Sequence, residues 1–283
     1  MIQSVAFIGL GAMGYRMAAH LPKHFDTVYV WNRNFEKAKQ HSIEYGTQAV
    51  DLKQAVQADI IFSCLPTSKD VENLIAGLEL KAGSIWVDCT SGVPESAKQL
   101  AEQLKLQQVS FLDAPVSGQT IGAENATLTV MIGGDETAFN QALPAIQAFG
   151  KLIKHVGASG AGFAVKAVNN MLLAVNLWSV AEGFTTLKAH GVDLGERRII
   201  NKKNSGKSGV TENVLSQRIL NRSFPLTFAL PLLAKDTGIA LNLAQDVKLP
   251  TPILSLTQNL IQTANLTAEA DADFSAAVKL YES

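Results

Sequence analysis

Six residues near the start of the chain, Gly9-Leu10-Gly11-Ala12-Met13-Gly14, constrain its fold more than any other feature. They match the pattern G-x-G-x-x-G, follow the apolar run Ser4-Val5-Ala6-Phe7-Ile8 and open a helix-forming stretch from Met13 to Leu21. Each glycine has its own mechanical reason. The first permits a tight turn, the second lets a pyrophosphate approach the backbone, and the third lets helix and strand pack closely. The helix N-terminus then offers free N–H groups and the positive end of its dipole to a phosphate. Set between a strand and a helix in a first βαβ unit, the hexapeptide predicts a dinucleotide site formed by all six residues, rather than a plain glycine-rich turn.

The rest of the first half repeats the alternation. Thr27-Val28-Tyr29-Val30-Trp31 reads as the next strand and Phe35 to Tyr45 as the next helix. Further strands are expected at Asp59 to Cys64, Ser84 to Cys89, Val109 to Ala114, Leu128 to Ile132 and Leu152 to Val156, with helical stretches near Asp70 to Ala76 and Glu95 to Leu106. Continuously apolar strands alternating with helices imply a mainly parallel sheet covered on both faces. Then comes Gly157-Ala158-Ser159-Gly160-Ala161-Gly162, a flexible punctuation, after which the chain reads helical to Ser283. Ala164 to His190 lacks proline, and its apolar positions cover more than one face, so burial on several sides is expected. Pro225, Pro231, Pro250 and Pro252 mark later helix starts or breaks. The fold class expected is α/β: a Rossmann-type, doubly wound, mainly parallel sheet over residues 1–158, then an all-helical substrate and oligomerisation domain over 159–283.

Composition narrows the functional classes. A length of 283 residues fits two domains at about 150 residues each. With 47% hydrophobic and 17% charged residues, the chain is too apolar to be disordered. Lys plus Arg total 24 and Asp plus Glu 25, a balance unlike the basic excess of a general nucleic-acid binder. Met1 to Ser4 carries no cationic targeting region, and the apolar stretch Met171 to Trp178 is too short to span a bilayer. Cys64 and Cys89 make no disulfide framework and read as small packing residues. A cytoplasmic protein with no membrane or nucleic-acid partner is expected.

The end of the second strand discriminates between cofactors. An NAD site usually places Asp or Glu there to hold the ribose 2′-hydroxyl. This chain instead has Asn32-Arg33-Asn34, in which Arg33 can fork onto a 2′-phosphate and the asparagines can add hydrogen bonds. NADP(H) is therefore preferred, with NAD(H) left open. Two more strand ends, Cys64-Leu65-Pro66-Thr67 and Asp88-Cys89-Thr90-Ser91-Gly92, should face the same crevice, because ligands of open α/β sheets bind beyond the carboxyl ends of strands. Leu65, Pro66 and Ser91 are the cofactor contacts expected from them.

Four blocks resemble the β-hydroxyacid dehydrogenase family, which includes 3-hydroxyisobutyrate dehydrogenases and glyoxylate/succinic semialdehyde reductases. They are Phe7 to Gly14, Asp113-Ala114-Pro115-Val116-Ser117-Gly118, Gly160-Ala161-Gly162-Phe163-Ala164-Val165-Lys166-Ala167-Val168-Asn169-Asn170, and Lys235-Asp236. Trp31-Asn32-Arg33 is similar to the NADPH-preferring reductases of that family. The resemblance implies that Lys166 is the catalytic acid/base, supplying a proton to the alkoxide that hydride delivery creates. It also implies a carboxylate cradle at Ser117 and Gly118, a nicotinamide-side hydroxyl at Ser91, Lys235 beside the cofactor, Asp236 orienting nearby groups, and Phe228 closing the substrate pocket. Lys166 and Asn170 lie four positions apart, on one face of a helix, so Asn170 can hold the substrate and Lys166 together. Taken alone, Lys235-Asp236 reads as ordinary surface charge.

Two departures from the family pattern stand out. Gln119 occupies the position where Val-Ser-Gly is usually followed by a second glycine, and Ala126 precedes Thr127-Leu128-Thr129 where glycine is common. Other signals carry less. Gly206-Lys207-Ser208 lacks the earlier glycine of a P-loop, since position 201 is Asn201, and reads as a loop between helices. The five histidines show no metal-ligand spacing, so no metal is expected. The expectation is an NADP(H)-linked oxidoreductase of a small carboxylate-bearing hydroxy acid or semialdehyde, assembled as a homodimer or homotetramer. The rivals are an imine reductase, disfavoured by Lys166, and a non-catalytic dinucleotide-binding scaffold.

Overall fold

Strand β1 (Ser4–Ile8) shows why the first unit is an α/β layer structure. Its residues alternate in direction, and both sets are buried: Val5 and Phe7 join a core on one face of the sheet, Ala6 and Ile8 a core on the other. The strand at Ile60–Ser63 does the same with Ile60 and Phe62 against Ile61. Only a sheet covered on both sides accommodates such runs. Each large side chain fully buried there contributes roughly 1.5–3 kcal/mol relative to exposure.

In the computed structural model, residues 2–192 and 205–281 are described; Met1 and Asn201, each of which entered the sequence argument, lie outside them. The strands are β1, β2 (Thr27–Trp31), β3 (Gln48–Ala49), β4 (Ile60–Ser63), β5 (Ile85–Asp88), β6 (Ser110–Asp113), β7 (Val116–Ser117), β8 (Leu128–Gly134) and β9 (Gly150–Gly157). Among the described residues they form one sheet in the order β3-β2-β1-β4-β5-β6-β8-β7, with β9 also on β8. Pairings from β3 through β6 are parallel, whereas β8 runs antiparallel to β6 and β7. The order reverses between β1 and β4, which opens the crevice beyond their carboxyl ends.

Helices α1 (Gly14–Ala18), α2 (Phe35–Tyr45), α6 (Gln119–Glu124) and α7 (Glu136–Ile146) supply Met17, Ala38, Ala123 and Ala142 to the first core. On the opposite face α3 (Leu52–Ala55), α4 (Ser68–Ile75) and α5 (Pro94–Lys105) supply Ala55, Val71 and Leu100. The first helix is shorter than the sequence run from Met13 to Leu21 predicts. It gives way to a 3₁₀ turn at Leu21–Lys23, where Pro22 has no N–H to continue the ladder.

The chain divides into two compact units, Met1–Lys166 and Ala167–Ser283, a division that falls inside the long helix α8 (Ala161–Ala189), whose first residues belong to the glycine-rich stretch. That stretch is not the flexible punctuation its composition suggests. A Cβ at Gly160 would stand 2.7 Å from the Pro94 carbonyl oxygen, and one at Gly162 would meet the Met131 carbonyl and lie 2.7 Å from that of Asp113. Glycine is needed there for close packing.

The second unit is helical: α8 continues beyond residue 166, a π-helical segment runs over Val210–Ile219, and α9 (Leu230–Asp246) and α10 (Pro252–Thr267) lead to a 3₁₀ helix at Phe274–Tyr281. Pro231 and Pro252 stand in the first turns of α9 and α10, where a missing N–H does no harm. Ala174, Leu177 and Trp178 of α8 pack with Val214, Leu233, Ile261 and Phe274 in one core. The helix is long and apolar enough by composition to cross a membrane, yet these residues lie inside the unit. Burial on several sides, however, is not what this chain provides. Val165, Val168 and Leu172 are 42%, 48% and 58% exposed, a stripe at helical spacing left uncovered among the described residues. A second subunit would have to cover that stripe for the sequence expectation of burial to hold.

Candidate active site

The nucleotide turn is assembled by backbone contacts that leave no room for side chains where glycine stands. Gly9 has φ +94°, and a Cβ on it would lie 2.5 Å from the Cys64 carbonyl oxygen. A Cβ on Gly14 would strike the Gly9 carbonyl and lie 2.9 Å from the Phe7 ring. At Gly11, by contrast, a Cβ would meet nothing within 4 Å, and the residue is exposed. The middle glycine therefore borders open space, as a site for close approach of a pyrophosphate requires. The residues present fit a dinucleotide.

Asn32 holds this turn against the end of β2. Its Oδ1 accepts from Leu10 N at 3.0 Å, and its Nδ2 donates to the Asn34 carbonyl at 3.0 Å. Asn34 caps α2 by accepting from Glu36 N at 3.2 Å. Both asparagines thus have structural work, and the guanidinium of Arg33, on an exposed residue between them, is the cationic group at this strand end.

Further along the sheet, a buried polar chain ties β4 to β5. Trp86 Nε1 donates to Ser63 Oγ, and Ser63 Oγ to Asp88 Oδ1, each at 2.8 Å. Thr90 N donates to the same carboxylate oxygen at 3.1 Å, and Leu65 N to Thr90 Oγ1 at 3.1 Å. Leu65 and exposed Pro66 then lead into the capping box of Thr67 and Asp70 that starts α4. Half-buried Ser91 precedes Gly92, where a Cβ would collide with the Phe163 ring. Burial pushes the Cys89 thiol well above its ordinary range, so it is no nucleophile at neutral pH.

Ser117 ends the short strand β7, and Gly118 follows it at φ +138° with its surface exposed. Lys166, half-buried, lies in the second turn of α8. In the helical unit Asn170 and Asp236 are both buried, and Asn170 Nδ2 donates to Asp236 Oδ2 at 2.6 Å. Asn169 Nδ2 donates to Asn170 Oδ1 at 3.1 Å, and Lys235 Nζ stands 3.2 Å from Asp236 Oδ1. The surface-charge reading of Lys235-Asp236 is thereby overturned: the aspartate is 1% exposed and belongs to a buried hydrogen-bonded cluster. Such a carboxylate is expensive to bury unless partnered, and here amide and ammonium partner it.

Phe228 owes its place to a residue that sequence reasoning missed. Buried Asp273 accepts from Thr227 N at 2.9 Å, Phe228 N at 3.1 Å and Ser275 N at 3.0 Å, and faces Arg218 Nη1 at 3.4 Å. Burial alone would raise its pKa, but these hydrogen bonds hold it below the ordinary carboxylate value. Apart from Ser275, two positions on, its partners lie 45 to 55 positions away, so the local sequence does not announce that it holds Phe228. Lys207, in the segment set aside as a false P-loop, pairs with Glu212 at 3.1 Å, and Ser208 caps the following turn.

The family model of the NAD binding domain of 6-phosphogluconate dehydrogenase matches residues 4–157. The model described as the NAD-binding of NADP-dependent 3-hydroxyisobutyrate dehydrogenase matches residues 160–281. The chain belongs to the β-hydroxyacid dehydrogenase family. Among its relatives, the 2-(hydroxymethyl)glutarate dehydrogenase of Eubacterium barkeri is 36% identical, the match covering 98% of this chain and 94% of the relative. The 3-hydroxyisobutyrate dehydrogenase of Pseudomonas aeruginosa is 35% identical, with 98% of each chain covered. The solved structure of Mycobacterium tuberculosis 3-hydroxyisobutyrate dehydrogenase with L-serine is 27% identical, with a TM-score of 0.91 and all of both chains covered. This β-hydroxyacid dehydrogenase is accordingly an oxidoreductase of the hydroxyacid dehydrogenase type, transferring hydride with NAD(P).

Both departures of this dehydrogenase from its family pattern have left-handed backbone. Gln119 has φ +58° and Ala126 φ +54°. Glycine adopts this region freely, while other residues are held there at about 1–2 kcal/mol. Replacing Ala126 with glycine should therefore raise stability by up to about 1 kcal/mol. Thermal unfolding checks this, and a fall in the melting temperature of Ala126→Gly would refute the strain.

Proposed function

We propose that this protein is an NADP(H)-dependent reductase of small carboxylate-bearing aldehydes, such as glyoxylate, succinic semialdehyde or a related 3-oxo acid. The same site would oxidise the corresponding hydroxy acid. The observation that carries the reading is the buried Asn170–Asp236–Lys235 cluster, which begins one helical turn beyond Lys166 on α8. Support comes also from the relatives' names. 2-(Hydroxymethyl)glutarate and 3-hydroxyisobutyrate both join a hydroxymethyl group to a carboxylic acid, and oxidation of that group yields a semialdehyde.

A bound nicotinamide supplies the hydride that reaches the carbonyl carbon. Lys166 Nζ gives a proton to the carbonyl oxygen as negative charge develops there, and takes it back in the oxidation direction. Ser117 Oγ and the backbone N–H groups at Ser117 and Gly118 hold the substrate carboxylate. Asn170, oriented by Asp236, keeps the oxygen in line with Lys166, and Phe228 excludes water. On the cofactor side, Arg33 would hold the 2′-phosphate through paired N–H donors, and Lys235 would add a positive charge for the bound cofactor.

The test is a panel of glyoxylate, succinic semialdehyde, methylmalonate semialdehyde and a cyclic imine, each with NADPH and NADH. Turnover of one or more aldehyde acids, faster with NADPH, is expected. Imine reduction without aldehyde turnover would make the protein an imine reductase. Tight NADPH binding with no turnover at all would make it a non-catalytic binder.

A further inference from the structure

Asp113 opens the Asp113-Ala114-Pro115-Val116-Ser117-Gly118 block, yet the reaction above gives it no task. Its carboxylate is fully buried at the end of β6. Oδ1 accepts from Gly160 N at 2.7 Å and Oδ2 from Phe163 N at 2.9 Å, two N–H groups at the start of α8 that the helix itself cannot satisfy. The chain around it is cut away to let this happen. A Cβ at Gly133 would stand 2.5 Å from Oδ1 and 2.8 Å from Oδ2, and one at Gly162 would stand 2.9 Å from Oδ2. Gly133, the first of the two glycines that end β8, and Gly162, the second glycine of the Gly160-Ala161-Gly162 run, are therefore explained by one buried carboxylate.

We propose that Asp113 is a positioning residue that fastens the first turn of α8 and so sets where Lys166, three residues beyond Phe163, presents its ammonium. The proposal rests on the reading of Lys166 as the acid/base. A capping side chain usually comes from the residue just before its helix. Here the cap comes from the sheet instead, 47 and 50 positions away, and ties the helix to the strand that leads into Ser117 and Gly118. The positive end of the helix favours the charged form, as do both N–H donors.

Burial works against them and raises the Asp113 pKa to about 6, helped by Asp88, its register partner on β5. The residues facing the carboxylate from β8 and from the helix start, Gly133, Gly160, Gly162 and Phe163, bring no ionisable side chain. On β9, His155 turns its Nε2 to the Gly134 carbonyl at 2.8 Å. A proton on Asp113 replaces one acceptor with an O–H and weakens the clamp. The sign separates this from the chemistry of lysine. In the reducing direction a protonated Lys166 is the active acid, so lysine alone gives a flat rate at low pH, whereas the clamp predicts a rate that falls below about pH 6. Unfolding is not the cause at this site. The folded pKa, about 6, lies above the ordinary carboxylate value, so proton uptake by Asp113 favours the folded state as pH drops from about 6 toward 4.

The experiment compares wild type with Asp113→Asn between pH 5 and 8. It reads kcat for NADPH-driven reduction of the panel aldehydes, and hydrogen exchange of the Gly160 and Phe163 amides in the holoenzyme. In wild type, kcat should fall below about pH 6 while circular dichroism stays folded, and protection of the two amides should fall about tenfold over the same range. In Asp113→Asn, kcat at pH 7.5 should be about 10- to 100-fold lower with KM for NADPH little changed, and the acid limb should vanish. A variant with wild-type kcat and an intact acid limb overturns the proposal, as does amide protection that Asp113→Asn leaves unchanged. Should the variant not fold, the wild-type profile decides alone, a flat rate down to pH 5 being the refutation. Loss of amide protection in Asp113→Asn, alongside full activity of a Lys166 variant, would instead retain the clamp and reject the acid/base reading.

Discussion

In a Lys166→Ala variant, kcat is expected to fall by about 10²- to 10⁴-fold, the range over which a positioned general acid acts, while NADPH affinity stays within about twofold. The split follows from where the groups stand. On the proposed reading the nucleotide would be held by the Gly9–Gly14 turn and the end of β2, whereas Lys166 belongs to α8, outside both. Stopped-flow reduction of the best panel aldehyde and a fluorescence titration with NADPH measure the two quantities separately. Substantial remaining turnover would remove Lys166 from proton transfer. A parallel loss of NADPH binding would show instead that the lysine supports the cofactor.

Replacement of Arg33 with aspartate should invert the cofactor preference. Losing a charge-assisted contact to the 2′-phosphate is worth about 1.5–3 kcal/mol, roughly 10- to 100-fold in affinity, and the new carboxylate adds repulsion. The same carboxylate can hold a ribose 2′-hydroxyl, so kcat/KM with NADH should rise. The fold is expected to be indifferent to the change, because the turn is held by Asn32 on Leu10 N and by the Asn34 cap, not by the exposed arginine. Paired kcat/KM values for NADPH and NADH provide the check, and an unaltered ratio would leave the 2′-phosphate without Arg33.

What reads most clearly in the sequence is local. β1, β2 and α2 have the bounds that the apolar runs and the helix-forming stretch predict, because each depends on neighbours a few residues apart. The shorter pieces are harder to see. β3 and β7 have two residues each, too few to show a period, and take their shape from the strands beside them. Gly160 and Gly162 look flexible by composition and are in fact tightly packed, a fact that depends on Pro94, Met131 and Asp113 far away in sequence. Gln119 and Ala126 stand out as departures from a pattern, but only backbone torsions show that both lie where glycine is favoured.

The site divides in the same manner. The glycines at Gly9, Gly11 and Gly14 between a strand and a helix are a short-range pattern, which is why dinucleotide use could be read from the chain alone, while the hydroxyacid dehydrogenase type followed from the resemblance of four blocks to that family. Burial could not. That Asp236 is a cluster member rather than a surface charge, that Asp273 sets the turn bearing Phe228, and that Asp113 accepts from Gly160 N, 47 residues later, at the start of a helix were decided only when distant segments met. A carboxylate's neighbours and its distance from water are properties of the folded chain, and they determine whether the same residue type is solvated, structural or chemically active.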